Sequence, residues 1–462
     1  MKFNLVVAFC KNFGIGYHNH IPWTLTEDLN HFRQLTEYGT VIMGRATYFS
    51  IQEHLRPLKN RLNLVVTHQP QKYQNQVLSN LKFTTFDDMV IPETDHQVFI
   101  IGGQSIYQQC LAKYHIDRLY VTLIDKDYQC DRTFNFPTNY KMESNYSPSC
   151  YSETEKCHYR FVEYVRTDET HDESQYLNLI NDVIQHGNLR EDRTKVGTKG
   201  VFGRQIRFNI GDCLPLLTTK FVPFKMIVKE LLWFLNGQTN NKILQDQGVH
   251  IWDGNTTRAF LDQRGLGHYQ EGDVGPMYGF QWRHFGATYN GCTSDYTGLG
   301  IDQLENVIDL LKTDPFSRRI AITTYNVNDL EKGVLHPCHG IYTQFYVEQR
   351  GDHQYLSCHM TQRSVDCGCG LPFNIASYAI LTHIIATKVG MHPDQLIISM
   401  GDTHIYDNHL DLLSDQIKRT PYPFPKIHLK EIKDKPWNQL TVDDFELVGY
   451  LSHPPIKLIM NI

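Results

Sequence analysis

The polar run RTDETHDES, from Arg166 to Ser174, parts the chain into two stretches with different hydrophobic rhythms, and it constrains the fold more than any other feature. Before it lie short apolar runs of strand length: Leu5–Phe9, Val41–Met43, Leu62–Val66, Val98–Ile101 and Leu119–Ile124. Such unbroken runs suit strands buried on both faces of an α/β sheet. Thr26 is expected to cap a helix from Glu27 to about Glu37. After the polar run the spacing turns helical. Leu177, Ile180, Val183 and Ile184 share one face, as do Leu304, Val307, Ile308 and Leu311. Asn374 to Gly390 is apolar nearly all round, which predicts a buried helix. With 462 residues the chain exceeds a single hydrophobic core. We therefore expect a domain over 1–165, a short polar linker over 166–173 and a second domain over 174–462.

Composition narrows the function classes. The net charge of -6 comes from interspersed acids and bases, which argues against a general nucleic-acid or membrane-surface binder. Eleven cysteines follow no repeated spacing. Cys367 and Cys369 have no matching Cys or His pair at zinc-finger distance, so free thiols in a reducing compartment and no metal are expected. The N-terminal apolar run is brief and reads as a first strand, not a secretory signal. Ile375 to Ala386, interrupted by Ser377, Thr382 and His383, is judged too short to span a bilayer. A soluble intracellular protein is the expectation.

Four features of the N-terminal stretch make chemical sense together. Asp28, in IPWTLTEDLNHF, falls on the first turn of the expected helix among Leu25, Leu29 and Phe32. A carboxylate lining an apolar cleft has a raised pKa and can hold a protonated or hydrogen-bonded heterocycle, although the helix dipole alone also favours an acid there. Gly44-Arg45-Ala46-Thr47 follows one strand and Gly102-Gly103 another, each opening a helix where backbone N–H groups can face a phosphate. Arg61, in RPLKNR, is a candidate clamp for a carboxylate.

The segments GIG, IPW, GRATY, RPLKNR, IIGGQSIY and LYVT, in that order, resemble dihydrofolate reductase over residues 1–165. The resemblance implies a mostly parallel sheet with flanking helices. It implies that Asp28 and Thr122 hold the pterin ring, with Val6 and Phe32 beside it and Arg61 on the glutamate carboxylate. It also implies an NADPH site lined by Ala8, Ile15, Arg45, Thr47, Thr67, Gly102, Gly103, Gln104, Ser105 and Ile106. Asp28 is the acid-base group, expected to act through a water.

In the C-terminal stretch, Cys338 sits in LHPCH after an expected strand and turn. A nucleophilic thiolate needs positive charge nearby, and Arg363 and the pair Arg318-Arg319 are candidates. EDRTKVGT, CLPLLTTK, KELLWFLNGQTN, IWDGN, GPMYGFQWRHFGA, DPFSRRI, HPCH, QRSVD, GLPFNIASYA, GDTHIYDNH and HPPIKL, in that order, resemble thymidylate synthase from about Glu173 to Ile462. An α+β domain is implied.

The same resemblance gives Cys338 the role of nucleophile on dUMP, with Glu230, Tyr278, His339, Asn255 and His404 organising water and proton transfers. Arg193, Gln362, Arg363, Ser364 and, from a second subunit, Arg318 and Arg319 belong to the dUMP site, mainly at its phosphate. His404 and Tyr406 are implied at the ribose. Trp252 and Asp366 are implied at the folate, Asp366 also beside dUMP. Asn374 pairs with uracil, since an amide complements N3–H and O4; a related class acting on dCMP carries Asp there. The chain departs from the pattern at His336, where Pro is usual, at RTKVGT in place of RTGTGT, and at CGCG over 367–370.

Together the resemblances imply a homodimeric enzyme with two activities. One uses 5,10-methylenetetrahydrofolate to methylate dUMP. The other reduces the released dihydrofolate with NADPH. The alternatives are a synthase carrying an inert reductase-like module, a dCMP hydroxymethylase and a regulatory nucleic-acid binder.

Overall fold

A computed structural model describes residues 2–76, 78–91, 97–191 and 195–460, with the side chains of residues 144 and 145 left aside. The chain divides into two compact units, Met1–Glu169 and Thr170–Ile462.

The first unit carries strands β1 (Phe3–Cys10), β2 (Gly14–Gly16), β3 (Thr40–Gly44), β4 (Leu62–Val66), β5 (Leu81–Thr84), β6 (Val98–Gly102), β7 (Ile116–Ile124), β8 (Arg132–Thr133), β9 (Tyr140–Tyr146), β10 (Cys150–Ser152) and β11 (Cys157–Arg166). Its helices are α1 (Thr26–Thr36), α2 (Arg45–Ser50) and α3 (Gln104–Lys113). A nine-stranded sheet runs β10-β11-β7-β1-β6-β3-β4-β5, with β9 also on β11. From β7 to β5 the neighbours are parallel, and β11 joins β7 antiparallel. The apolar runs are the central strands: Leu5, Val41, Ile42, Met43, Val65 and Ile100 are fully buried. Met43 pairs with Gly102 and Gly44 with Val66, so the carboxyl ends of β6, β3 and β4 stand level and launch α3 and α2 from one edge. Ligands of open parallel sheets bind at such an edge. Thr26 is not the cap of α1 but its first residue; Leu25 is the cap and makes no side-chain hydrogen bond.

In the second unit, β12 (Asn188–Arg190), β13 (Thr198–Asn209), β14 (Ala321–Ile322), β15 (Tyr342–Arg350), β16 (His353–Asp366) and β17 (His392–Tyr406) form a sheet in the order β12-β13-β17-β16-β15-β14. A separate pair, β18 (Lys426–Leu429) and β19 (Phe445–Val448), lies near the end of the chain. The helices are α4 (Glu173–His186), α5 (Phe224–Leu235), α6 (Lys242–Gln245), α7 (Asp253–Thr256), α8 (Arg258–Gln263), α9 (Gly279–His284), α10 (Gln303–Thr313), α11 (Gly370–Val389) and α12 (Leu410–Gln416). Segregated helices over a mixed sheet make this an α+β unit.

Helix α11 is the centre of this core. It is long and apolar enough to cross a membrane, against the shorter span expected, yet 83% of that stretch is buried inside the unit. Ile375, Ile380, Leu381, Ile384 and Ile385 are fully buried, each worth roughly 1.5–3 kcal/mol. Gly390, with φ 78°, ends the helix in the left-handed conformation that glycine adopts without strain. The linker is shorter than its polarity suggests. Glu173 belongs to α4 and is fully buried, its carboxylate accepting hydrogen bonds from the backbone N–H and hydroxyl of both Thr218 and Thr219 at 2.6–2.8 Å.

Candidate active sites

In the first unit, α1 brings Asp28 to β7. The Thr122 hydroxyl donates to Asp28 Oδ1 at 2.6 Å. Burial raises the carboxyl pKa, and the Thr122 hydrogen bond opposes that rise. Thr122 lies opposite Ala8 in the β1–β7 register, so the residue that holds the acid is a direct neighbour of the C-terminal half of β1. Phe32 follows one turn after Asp28 on the same face of α1 and is half-buried. Tyr107, which sequence reasoning missed, donates to the Val6 carbonyl at 2.8 Å, and its buried hydroxyl feels the Asp28 charge. Arg61 is buried. Its Nε donates to Thr36 Oγ1, Nη1 to the Lys59 carbonyl and Nη2 to the Arg33 carbonyl. Three of its five donors hold the guanidinium, which leaves two for a ligand.

The glycine turns meet one another. A Cβ on Gly44 would come within 3.1 Å of Ile106, and one on Gly103 within 3.3 Å of Thr47 Oγ1. Gly102 has φ 111°, a conformation side chains resist, and a Cβ there would press on the Tyr107 ring. Two helix N-termini thus open beside a cradle that only glycine leaves empty. That fits the phosphates of a dinucleotide such as NADPH. Arg45 and Ser105 are exposed, Thr47 and Gln104 half-buried, at the first turns of α2 and α3. Ile15 lies on β2, and Thr67 just past β4, its N–H donating to the Thr84 carbonyl at 2.9 Å.

In the second unit, Cys338 follows a 3-10 turn (Val327–Lys332) and a loop, not the strand expected before it; β15 comes after. Gly340 (φ 58°) shapes this loop against the hydroxyl of Tyr378, where no side chain would fit. The Tyr278 hydroxyl lies 3.4 Å from Cys338 Sγ and accepts the Cys338 N–H at 3.1 Å. Arg363 is tied to the same loop: its N–H donates to the Cys338 carbonyl at 2.8 Å and its Nε to the Pro337 carbonyl at 3.3 Å. Burial raises the Cys338 thiol pKa, whereas the Tyr278 hydroxyl and the Arg363 charge lower it.

His339 stacks on Tyr278, with ring centroids 4.3 Å apart, and its Nδ1 is 3.2 Å from the Tyr378 hydroxyl. Burial takes its pKa down to about 3, so it is neutral. Tyr378, also missed, stands one helical turn after Asn374 on α11, and that i, i+4 spacing was the available signal. Trp252 lies 5.9 Å from Tyr278 and donates through Nε1 to Glu230 Oε1 at 2.9 Å. Burial pushes the Glu230 carboxyl up to about 7. An acid near neutrality, a neutral imidazole and a buried thiol are thus linked through two aromatic rings.

Among the described residues, two of the side chains expected at dUMP carry a buried polar atom with no hydrogen-bond partner: Asn255 Nδ2 and Gln362 Oε1. Unspent hydrogen-bonding capacity of that kind is what a bound ligand satisfies. Strand pairing sets Asp366 opposite His404 and Ser364 opposite Asp402; His404 Nδ1 is 2.9 Å from Asp402 Oδ1. Tyr406 is opposite Thr198 on β13. Asn374 is buried on α11. Arg318 and Arg319 are exposed, and no hydrogen bond or ion pair between described residues ties them to the Cys338 loop. Arg193 lies outside the described residues.

Comparisons with known proteins bear on the family of each unit. Residues 2–166 match the dihydrofolate reductase family and residues 174–462 the thymidylate synthase family. A bifunctional dihydrofolate reductase-thymidylate synthase of Paramecium tetraurelia is 42% identical over 470 residues, spanning 100% of this chain and 99% of that protein. Proteins of the same description from Zea mays and Leishmania major are 38% and 37% identical across the whole chain, which covers 97% and 95% of their lengths. The chain belongs to the bifunctional dihydrofolate reductase–thymidylate synthase family.

Proposed function

We propose that Cys338 is the nucleophile that adds to C6 of dUMP, and that Asp28 is the acid-base group of dihydrofolate reduction. The observation that carries the first assignment is the double contact of Tyr278 with Cys338 at the end of an Arg363-tethered loop. The enzyme methylates dUMP with 5,10-methylenetetrahydrofolate and reduces the dihydrofolate released. An inert reductase module is disfavoured, since Asp28, Thr122, the glycine cradle and Arg61 are all in place.

Thiolate attack at C6 puts negative charge on the C4–C5 edge of the pyrimidine. Asn255, with an unspent donor, and neutral His339 are available to stabilise it, while Glu230 exchanges protons near pH 7. Arg363, Ser364 and Arg193 hold the nucleotide phosphate, Gln362 and Asn374 the nucleotide, and His404 and Tyr406 the ribose. Asp366 and Trp252 hold the folate. Arg318 and Arg319, exposed and tied to the thiol loop by no hydrogen bond or ion pair among the described residues, are assigned to the phosphate of a second copy, which makes a homodimer the proposed functional form.

In the reductase unit, bound NADPH supplies a hydride to C6 of dihydrofolate. Arg45 and Thr47 with the Gly102–Ile106 turn hold its phosphates, and Ala8, Ile15 and Thr67 border it. Asp28, held by Thr122 and flanked by Val6 and Phe32, promotes protonation at N5. Arg61 takes the glutamate carboxylate with its two remaining donors. All eleven cysteines are unpaired, which suits a reducing intracellular compartment, and no membrane or nucleic-acid partner is proposed.

The test is Cys338→Ala assayed for both reactions. Thymidylate formation is lost and NADPH-dependent reduction stays near wild type; loss of both in a folded protein refutes separate sites. Mixing Cys338→Ala with Arg319→Ala subunits restores synthase activity above either parent if the phosphate is shared. No recovery in verified heterodimers refutes the shared site.

A further inference from the structure

The segment Asp366-Cys367-Gly368-Cys369 fills with small residues and thiols a stretch beside the proposed folate site. Its turn is tightly held. Gly368 N–H donates to Asp366 Oδ1 at 2.8 Å, Lys220 Nζ to the Gly368 carbonyl at 2.6 Å, and Tyr176 Oη to the Cys367 carbonyl at 3.0 Å. This frame puts the Asp366 carboxylate and Cys369 Sγ together with a ring nitrogen of His409, all three ligand atoms within 4.8 Å of one another. A carboxylate, a thiol and an imidazole are separated by as many as 43 positions in the chain, which is why no metal-ligand spacing is visible in the sequence.

His409 supplies an independent observation. It is 1% exposed. Its Nε2 is 2.8 Å from the Ile459 carbonyl and must carry the proton to bond there, which leaves Nδ1 as a bare acceptor. Nδ1 is buried and has no hydrogen-bond partner among the described residues. An imidazole fixed in one tautomer by a carbonyl, with its other nitrogen unspent, is how a metal-ligating histidine is commonly prepared. A thiolate, an imidazole and a carboxylate make a donor set suited to zinc, and three protein ligands leave a fourth position open.

We infer that Asp366, Cys369 and His409 bind a zinc ion, and that zinc held there competes with methylenetetrahydrofolate for the synthase site. Ligand atoms around a tetrahedral zinc stand about 3.5 Å apart, so closing on the ion asks for side-chain movements of about an ångström. The Cys369 thiol gives up one proton as the Zn–S bond forms, and no oxidant or reductant takes part. Lys220, whose charge faces both Cys369 and Asp366, favours the thiolate but repels the cation. The competition, though not the metal site, rests on the reading of Asp366 as a folate-holding group. A carboxylate shared with zinc is lost to the pterin, which weakens folate binding by about tenfold.

The full-length enzyme is titrated with cobalt(II), whose thiolate complexes show a near-ultraviolet charge-transfer band, and the metal is then displaced by zinc. One equivalent of thiolate-bound metal is expected in the wild type and in Cys338→Ala. Cys369→Ala loses the band, and His409→Gln weakens binding. Absence of the band in the wild type, or its survival in Cys369→Ala, overturns the site. In parallel, saturating zinc raises the synthase KM for methylenetetrahydrofolate about tenfold at unchanged kcat, spares Cys369→Ala, and leaves dihydrofolate reduction unaltered. Metal bound through Cys369 with an unmoved KM overturns the competition and the folate role of Asp366, while the zinc site itself stands.

Discussion

Tyr278 Oη accepts the backbone N–H of Cys338 at 3.1 Å and stands 3.4 Å from that residue's sulfur. Because the oxygen already accepts from the N–H, its own proton is free to point at sulfur, where it stabilises thiolate over thiol. Tyr278→Phe removes that donor and one of the influences opposing the burial penalty. The thiolate should therefore form at higher pH. The midpoint of Cys338 alkylation by iodoacetamide, followed against pH, is expected to move up, and synthase kcat to fall about 10–100-fold. An unmoved midpoint would mean that the Tyr278 hydroxyl has no hold on the thiol.

Trp252 and Glu230 make a second pair whose sign can be worked out. Burial holds the Glu230 carboxyl up at about 7, and the indole N–H favours its ionised form. Trp252→Phe keeps an aromatic ring and deletes the donor, so the carboxyl should hold its proton to higher pH. The ionisation near neutrality in the pH profile of synthase kcat, measured at saturating folate, is expected to shift to the alkaline side. A shift to the acid side would assign that ionisation to another group.

Much of this architecture is visible in the sequence because burial on both faces leaves an unmistakable mark. Leu62–Val66 is β4 residue for residue, and the apolar helix after Asn374 is α11 begun four residues earlier. The antiparallel strand β11 escaped notice, since half of its side chains are not fully buried and its alternation is broken where Tyr159 and Arg160 are both buried. Glu173 misled for a different reason. One of four acids in a polar run reads as linker, and the four donors that hold it buried come from Thr218 and Thr219, some 45 positions away. In the sites, residue types were legible but partnerships were not: nothing local announces that Tyr107 meets Val6 or that Tyr378 meets His339.

Asp28 is buried enough to hold its proton above the usual carboxylate range, with Thr122 restraining the rise. Asp28→Asn removes the group that promotes protonation at N5. Reduction should be crippled at neutral pH and recover as pH falls and the solvent supplies protonated substrate. Stopped-flow NADPH oxidation across the acid range distinguishes this from a loss independent of pH, which would leave Asp28 with ring positioning alone.

Asn374 is buried on α11, one turn before the tyrosine that contacts His339. Its amide can donate to O4 of uracil and accept from N3–H, the two features that separate dUMP from dCMP. Asn374→Asp keeps the size and removes the donor. Ionised, the new side chain turns a negative charge toward O4 and leaves buried polar groups unpaired, at a cost of roughly 1–3 kcal/mol in dUMP use. For dCMP the 4-amino group donates where O4 accepted, and N3 is a bare acceptor, so a protonated carboxyl satisfies both. The ratio of kcat/KM for dCMP over dUMP should therefore rise in the mutant, and rise further as pH falls through the carboxyl pKa. Measured between mildly acidic and neutral pH, a ratio equal to that of the wild type would show that base discrimination lies elsewhere in the site.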